Sequence, residues 1–200
     1  MPDVSANDLA RGVRLPGHRV PGPGAAPPPA YLVKPTTVAR TAVRHFHVSG
    51  PATAHGYLTG VLSRELGHTH PSTRSNAANT VAGLGHYIAA DAADGRVFVI
   101  FPSFVLVKMP SGTVKTKIDV VTQGKTGLAA RAVFWDGPDI SADEAEVIAY
   151  PYAVALQTLY PNQTLACVCV WQTRRNSMYE VPLATALARA GAADAVLARL

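Results

Sequence analysis

Several features that mark membrane and secreted proteins are missing from this sequence. Its 200 residues contain no run of 18 apolar residues, which argues against a transmembrane helix. The first residues, MPDVSANDLARG, include two acids and no apolar stretch, which argues against a secretory signal. We therefore expect a soluble cytoplasmic protein that has no membrane partner.

Cysteine is scarce as well. The two cysteines, Cys167 and Cys169, lie only two positions apart. This spacing is too short for an ordinary disulfide, and the chain has no further cysteine to complete a zinc site. We predict that both are reduced and buried on a strand, because free cysteine is among the most buried residue types.

Common catalytic motifs are absent too. The chain has neither a G-x-S-x-G nucleophile elbow nor a P-loop. Two H-x-H pairs are present, but no cysteine accompanies them in sequence as it would in many zinc sites. The pairs are His45 with His47 and His68 with His70. We interpret these histidines as solvated or capping residues rather than as zinc ligands.

Charged residues are few, at 16% of the chain against 48% hydrophobic residues, which is the composition of a globular domain with a tail. The formal net charge of +5 permits attraction to a polyanion. The basic excess is uneven: residues 1–50 hold six basic and two acidic side chains, and residues 101–140 hold five and three. We therefore expect any polyanion to meet these two segments.

Composition divides the chain into three parts. Residues 1–35 end in a stretch rich in proline and glycine, which predicts a flexible leader, with an arginine-bearing arm that contacts a partner as the alternative. Residues 36–95 show helical periodicity, which predicts a helical region of three short helices packed on the core. Residues 96–200 alternate between strand-like and helical segments, which predicts an α/β core.

The order of elements after residue 36 is helices, three strands, a helix, two strands and a helix. A turn at PSG between Lys108 and Thr113 predicts a hairpin. Ser141 and Glu144 have the spacing of a capping box, so a helix should begin near Ala142 and be kinked by its internal proline. This order predicts an α/β fold: a three-layer α/β/α arrangement with a mixed central sheet of about five strands, preceded by a small helical region.

Three local patterns over roughly residues 70–190 carry a resemblance to a known family. GLGHYIAA places His86 on a helix before the sheet, TKID places Asp119 at the end of a strand, and EVIAY offers Glu146 and Tyr150 on a later helix. In this respect the chain resembles the RecB-type nuclease domains of the PD-(D/E)XK superfamily, found in prokaryotic and phage DNA-processing systems. The resemblance implies a magnesium or manganese ion on His86 and Asp119, with Lys117 as a catalytic candidate.

The neighbouring strand departs from that family pattern. Where the family has an acid and a lysine, AVFWDG places Val133 and Trp135. His86 and Asp119 alone would give at most two ligands, too few for an ion such as magnesium, which needs an octahedral shell of oxygen atoms. A rearranged site would have to recruit Asp136 or Asp139.

The basic residues of the predicted hairpin are the main candidates for DNA contacts. They are Lys108, Lys115, Lys117 and Lys125, with Arg74, Arg174 and Arg175 as further candidates. Arg74 also falls within STRSN, at the start of what would be the recognition helix of a helix-turn-helix, although capping of an ordinary helix is the simpler interpretation.

Three hypotheses follow from the sequence. The first is a non-catalytic nuclease-like protein that binds DNA as a regulator or as a subunit of a DNA-processing or defence assembly, with no cofactor. The second is an active nuclease that uses magnesium or manganese at a rearranged site. The third is a structural module that binds protein partners or forms a homo-oligomer.

Overall fold

The computed structural model describes residues 3–15, 17, 35–135 and 139–200, and these form an α/β fold. Within them the helices are α1 (Ala6–Arg14), α2 (Pro35–Ser49), α3 (Pro51–Val61), α4 (Ser63–Leu66), α5 (Pro71–Asp94), α6 (Ala142–Leu159), α7 (Leu183–Ala188) and α8 (Ala190–Leu197). The strands are β1 (Asp3–Ser5), β2 (Val97–Ile100), β3 (Phe104–Met109), β4 (Gly112–Lys117), β5 (Val120–Gly124), β6 (Gly127–Phe134), β7 (Leu165–Gln172) and β8 (Ser177–Pro182).

The strands form two sheets. The larger sheet has five strands in the order β2-β5-β6-β7-β8, and only its β6–β7 pair is parallel. The smaller sheet has three strands in the order β1-β4-β3, in which β1 runs parallel to β4 and β3 forms the predicted hairpin with β4. The chain crosses from the small sheet to the large one at residues 118–119, so Asp119 stands at the junction between the two sheets.

Helices cover both faces of the large sheet. On one face, Ala130, Ala132, Val168 and Val170 pack against α6, which also contacts the inner face of the small sheet. On the other face, Val120, Val133, Trp135 and Trp171 pack against buried residues of α2, α3 and α5. The predicted three-layer α/β/α class, with a mixed five-stranded sheet and a preceding helical region, is therefore confirmed.

Two local predictions are also confirmed. The side chain of Ser141 accepts a hydrogen bond from the backbone N–H of Glu144, whose carboxylate accepts one from the backbone N–H of Ser141, so the capping box starts α6 at Ala142. The helix continues through Pro151 to Leu159. No helix in the described part of the chain is long and apolar enough to cross a membrane.

The strand count and the C-terminal helix differ from the sequence prediction. Five strands, not three, lie between α5 and α6, because β2 and β5 are short neighbours in the large sheet while β3 and β4 turn away into the small one. The segment predicted as one C-terminal helix is two helices that meet at Arg189. That residue binds the carboxylate of Glu146 on α6 with its Nε atom at 2.7 Å.

The start of the chain corrects a second prediction. Residues 1–35 were expected to be a flexible leader, but Asp3–Ser5 adds a strand beside β4 and Ala6–Arg14 forms a helix whose Leu9 and Ala10 are fully buried in the core. A Cβ atom on Gly12 would lie 2.9 Å from side-chain atoms of Val196 and Leu200, so glycine allows α1 to lie close against the C-terminal segment. The stretch from Pro16 to Lys34, except Gly17, falls outside the described residues.

Candidate functional site

Asp119 is buried at the sheet junction and already has partners. Its Oδ2 atom accepts a hydrogen bond of 2.8 Å from the backbone N–H of Val133, and its Oδ1 atom lies 3.0 Å from Nε of Arg40 on α2. The Nε–H of Arg40 does not point at an acceptor in hydrogen-bond geometry, so the contact with Oδ1 is an ion pair rather than a hydrogen bond. Both carboxylate oxygens therefore face groups of this chain.

Burial and charge act in opposite directions on this carboxyl. Burial raises the pKa of Asp119, because the charged form loses its hydration. Arg40, the Val133 N–H, Lys117 and Arg44 pull the pKa of Asp119 back down, with Arg40 the strongest of the four. Asp119 thus depends on the surrounding cations for its charge.

The neighbouring strand contributes apolar bulk beside Asp119. Val133 and Trp135, which stand where the nuclease pattern has an acid and a lysine, are both buried among residues of α2, α3 and α5. Val133 offers Asp119 a backbone donor in place of a second carboxylate. The strand pair therefore holds one acid where a metal-dependent nuclease needs two.

The structure gives His86 and Asp119 different partners. The Nδ1 atom of His86 lies 2.8 Å from the backbone carbonyl oxygen of Thr173, in the short turn Thr173–Arg175 that joins β7 to β8. Across the described residues, neither His86 nor Asp119 belongs to a group of three or more close metal-ligating side chains. The ligand set implied by the nuclease resemblance is thus not assembled in the described part of the chain.

Two further acids named with that resemblance have other partners in the described structure. Asp139 forms an exposed ion pair of 2.6 Å with Arg175, and Asp136 lies outside the described residues. Glu146 binds Arg189, so the helix motif that contains it meets the C-terminal helices, while Tyr150 packs against the core on the α6 side of the sheet.

A basic cleft opens beside Asp119, between α1, α2 and the end of β4. Six cations line its three adjoining parts, all of which include Arg40, and the largest part has a volume of about 300 Å³. The six are Arg11, Arg14, Arg40, Arg44, Lys115 and Lys117. Of the lining residues that the structure describes, Asp119 is the one carboxylate. Such a concentration of one sign of charge in a concave surface focuses the field on an incoming anion.

Two N–H groups of the lining residues have no hydrogen-bond acceptor within the described structure. They are the Nε1–H of Trp135 and the Nε–H of Arg40, and the Nε atom of Arg40 already lies 3.0 Å from Oδ1 of Asp119. Both nitrogen atoms are buried beneath the surface of the cleft.

The solvent-facing side of the β3–β4 hairpin continues the cleft. Lys115 stands opposite Leu106, and Lys117 stands opposite Phe104, so the exposed side chains of both strands share one face. Lys108 lies further along this face, and the Nζ atom of Lys115 sits 4.1 Å from the centre of the Phe104 ring. Three of the predicted lysines therefore share one exposed face of the hairpin, together with the aromatic ring of Phe104.

The other predicted DNA contacts do not line the cleft. Lys125 lies in the turn between β5 and β6, about 20 Å along the strand from Asp119 at roughly 3.3 Å per residue. Arg74 is exposed in the first turn of α5, and Arg174 is exposed in the turn before β8. Arg175, in the same turn, is the partner of Asp139. These four predicted DNA contacts therefore lie outside the lining of the cleft.

Sequence reasoning missed the four arginines of the cleft. Arg40 and Arg44 lie four residues apart on α2, and Arg11 and Arg14 lie three apart on α1, so each pair shares a helix face. This spacing was visible in LARGVR and ARTAVRHF. What the sequence could not show was that the two helices line the same cleft beside the end of β4.

A second polar cluster lies on the α5 side of the large sheet. Arg131, fully buried on β6, forms ion pairs with Asp91 and Asp94 of α5, the latter at 2.6 Å, and donates a hydrogen bond of 3.2 Å to the hydroxyl of Tyr87. His47 of α2 joins the cluster through Nε2, which is 2.8 Å from the same hydroxyl. We call these five residues the Arg131 cluster; it holds α2 and α5 on the sheet.

His47 thus belongs to a partly buried hydrogen-bonded cluster rather than to the solvated pair expected from the sequence. Its neighbour His45 contacts the ring of Tyr57, with the ring centres 4.5 Å apart. In the second pair, Nδ1 of His68 accepts a hydrogen bond from the backbone N–H of His70, and Nδ1 of His70 lies 2.8 Å from the hydroxyl of Ser72. His70 is the N-cap residue of α5, but its side chain makes no capping hydrogen bond to the helix backbone.

We expect His47 to make folding sensitive to mild acid. Burial lowers the pKa of His47 from 6.5 to about 4, against a smaller upward pull from Asp91. Between pH 6.5 and 4, His47 is therefore protonated in the unfolded chain but neutral in the folded chain. The free energy of unfolding should fall as the pH falls through this range and then level off below pH 4. After discounting for partial exposure we expect a loss of about 1–2 kcal/mol. Urea unfolding across this range measures it.

A His47→Gln variant provides the control for this pH dependence. Glutamine retains a donor and an acceptor near Tyr87 but does not titrate, so the slope between pH 6.5 and 4 should become shallower. An unchanged slope would show that other groups cause the acid sensitivity.

Both cysteines are buried with free thiols on β7, as the sequence predicted. Comparison of the chain with protein-family models gives no match, and comparison with curated proteins gives none either.

Proposed function

We propose that this protein is a non-catalytic, nuclease-like protein that binds DNA in the basic cleft, as a regulator or a subunit of a DNA-processing assembly. The observation that carries the proposal is the cleft itself: among the described residues six cations line it, and its one lining carboxylate, Asp119, is already paired with Arg40. Phosphate groups are the anions that such arrays of arginine and lysine bind in nucleic acids.

Exposed apolar side chains beside the lysines favour a single strand as the ligand. Phe104 and Leu106 are half exposed on the same hairpin face as Lys115 and Lys117. Stacking of bases on an aromatic ring, next to a basic groove that follows the backbone, is how single strands are bound without sequence preference. In this arrangement the lysines contact phosphates while a base stacks on Phe104.

The residues around Asp119 support binding rather than hydrolysis. A magnesium-dependent nuclease needs several oxygen ligands on rigid elements and a cation that stabilises the transition state. Here Asp119 is paired with Arg40, and Val133 and Trp135 occupy the neighbouring strand. Arginine in contact with the carboxylate competes with any metal ion for the same oxygen.

The Asp119→Asn variant separates binding from catalysis. Asparagine can still accept the hydrogen bond from the Val133 N–H, but it releases Arg40 from its ion pair and removes a negative charge from the cleft. We therefore expect DNA affinity to be unchanged or several-fold higher, measured by fluorescence anisotropy at several salt concentrations, and neither protein to cleave labelled DNA with magnesium or manganese.

Two results would contradict this proposal. Cleavage by the wild type that Asp119→Asn abolishes would establish the rearranged nuclease instead. A lack of salt-dependent binding by the wild type to single- or double-stranded DNA at about micromolar protein would remove the DNA-binding function altogether.

One observation favours a role in protein assembly as the second candidate. Val97, Val99 and Ile100 are exposed on β2, which forms an edge of the large sheet in the described structure. Exposed apolar edge strands tend to pair with other chains. Light scattering of the full chain would show a mass above 21.0 kDa if copies associate through such a surface.

A further inference from the structure

Cys167, Cys169 and Glu180 form a compact cluster on the α5 side of the large sheet. The two cysteines are alternate residues of β7, so their side chains leave the same face, and Cys169 stands directly opposite Glu180 on β8. One ligand atom from each of the three lies within 4.8 Å of the others. No other group of three or more histidine, cysteine, aspartate or glutamate side chains within the described ranges is this close.

The spacing of the two sulfur atoms suits a metal ion. Their separation in the structure is 3.9 Å. Two thiolates bound to one tetrahedral zinc ion at about 2.3 Å would lie about 3.8 Å apart. The two sulfur atoms therefore stand close to metal-binding positions without any change in the strand.

A cation already occupies the space in front of this cluster. The guanidinium of Arg96 donates a hydrogen bond of 3.1 Å to Sγ of Cys169 and forms ion pairs with Glu180 and with Asp94, the latter at 2.9 Å. Its side chain lies against Gly124, where a Cβ atom would come within 3.3 Å of Cγ of Arg96. The protein thus places positive charge beside the sulfur and carboxylate atoms.

Access to the cluster depends on that arginine. The two cysteines are buried, whereas the Glu180 side chain is half exposed and Arg96 is a long side chain at the surface of the cluster. Movement of the Arg96 guanidinium away from Glu180 and Cys169 would free one carboxylate oxygen and one sulfur atom as ligands.

We propose that Cys167, Cys169 and Glu180 bind a thiophilic divalent metal ion, with zinc as the fitting ion, which displaces the guanidinium of Arg96. Two sulfur atoms and one carboxylate oxygen supply three protein ligands, and water completes the tetrahedral shell. Both thiol protons leave to solvent as the two metal–sulfur bonds form. Such an ion links β7 to β8 across the sheet and should stabilise the folded chain.

This metal site is separate from the proposed DNA function. Cys167 pairs with Ala129 near the start of β6, whereas the cleft lies beside Phe134 and Trp135 at its end, about 17 Å away at roughly 3.3 Å per residue. Metal binding and DNA binding can therefore succeed or fail independently.

The test is a titration of the reduced, chelator-treated full chain with cobalt(II), followed by displacement with zinc. We expect one cobalt ion per chain, a sulfur-to-cobalt charge-transfer band in the near ultraviolet, and visible bands of tetrahedral intensity that zinc abolishes. Cys167→Ser and Cys169→Ser should each remove the charge-transfer band or weaken binding at least tenfold. Circular dichroism establishes that these variants are folded.

Variants of Glu180 and Arg96 test the metal site even if the cysteine variants fail to fold. Glu180→Gln should weaken cobalt binding about tenfold, and Arg96→Gln should strengthen it because the competing cation is gone. Asp143→Asn, which removes an almost fully exposed carboxylate in the first turn of α6, is the matched control and should leave cobalt affinity unchanged. Absence of the charge-transfer band in the wild type, or equal affinity of the urea-unfolded chain, would overturn the proposal.

Discussion

Replacement of Arg131 by methionine is expected to lower the free energy of unfolding by about 3–5 kcal/mol. The guanidinium is fully buried and pairs with Asp91 and Asp94, and Asp94 is itself nearly buried. Methionine has a similar length but no charge, so it leaves Asp91 without this cation and Asp94 with Arg96 as its remaining cation partner. Leaving one charge of a buried ion pair without its partner destabilises the folded state by more than the intact pair stabilised it. Urea unfolding followed by circular dichroism measures the change.

The matched control for Arg131→Met is Arg175→Met. Arg175 also pairs with an aspartate, Asp139, but both side chains are mostly exposed. Exposed ion pairs contribute little, so a change below about 1 kcal/mol is expected. Equal losses in the two variants would show that burial does not determine the effect.

A further variant distinguishes charge from packing in the Arg131 cluster. The triple substitution Arg131→Met, Asp91→Asn and Asp94→Asn removes the arginine and both carboxylates together. If unpaired charge causes the loss, this triple variant should recover at least half of the stability that Arg131→Met loses. No recovery would assign the effect to lost contacts of the guanidinium with Tyr87 and Trp171.

The second large effect is expected in the cleft. The double variant Lys115→Glu and Lys117→Glu should lower affinity for a single strand on the order of 10–100-fold at about 50 mM salt. Both side chains are exposed on β4, so charge reversal should leave folding intact. The salt dependence should become shallower as well, because each lost phosphate contact removes about 0.7 from the slope of log K against log salt.

An equal change of charge elsewhere provides the control for that double variant. Lys125→Glu with Arg74→Glu alters the net charge by the same amount on exposed sites outside the cleft. Its effect on affinity should be severalfold smaller than that of the cleft variant. Equal effects would mean that net charge, rather than the cleft, attracts the nucleic acid.

Features set by neighbouring residues were predictable from the sequence. The capping box of Ser141 and Glu144 and the turn after Lys108 depend on a few adjacent side chains, and both are present in the structure. The strand that leads to Asp119 is likewise predictable, but the sequence does not show that the chain changes sheets at this residue.

Features set by distant residues were not predictable. β1 pairs Val4 with Val114, which is distant in the sequence, and no local pattern predicts this contact. Arg40 meets Asp119 only because α2 crosses the junction of the two sheets. The cysteine cluster likewise depends on the register that sets Cys169 opposite Glu180, which is decided by packing of both strands.

The anchored start of the chain gives its first fifteen residues two roles. Leu9 and Ala10 of α1 are buried in the core, and β1 pairs with β4 in the small sheet. Arg11 and Arg14 of the same helix line the cleft. Deletion of residues 3–14 should therefore remove part of the core and two of the cations of the cleft together.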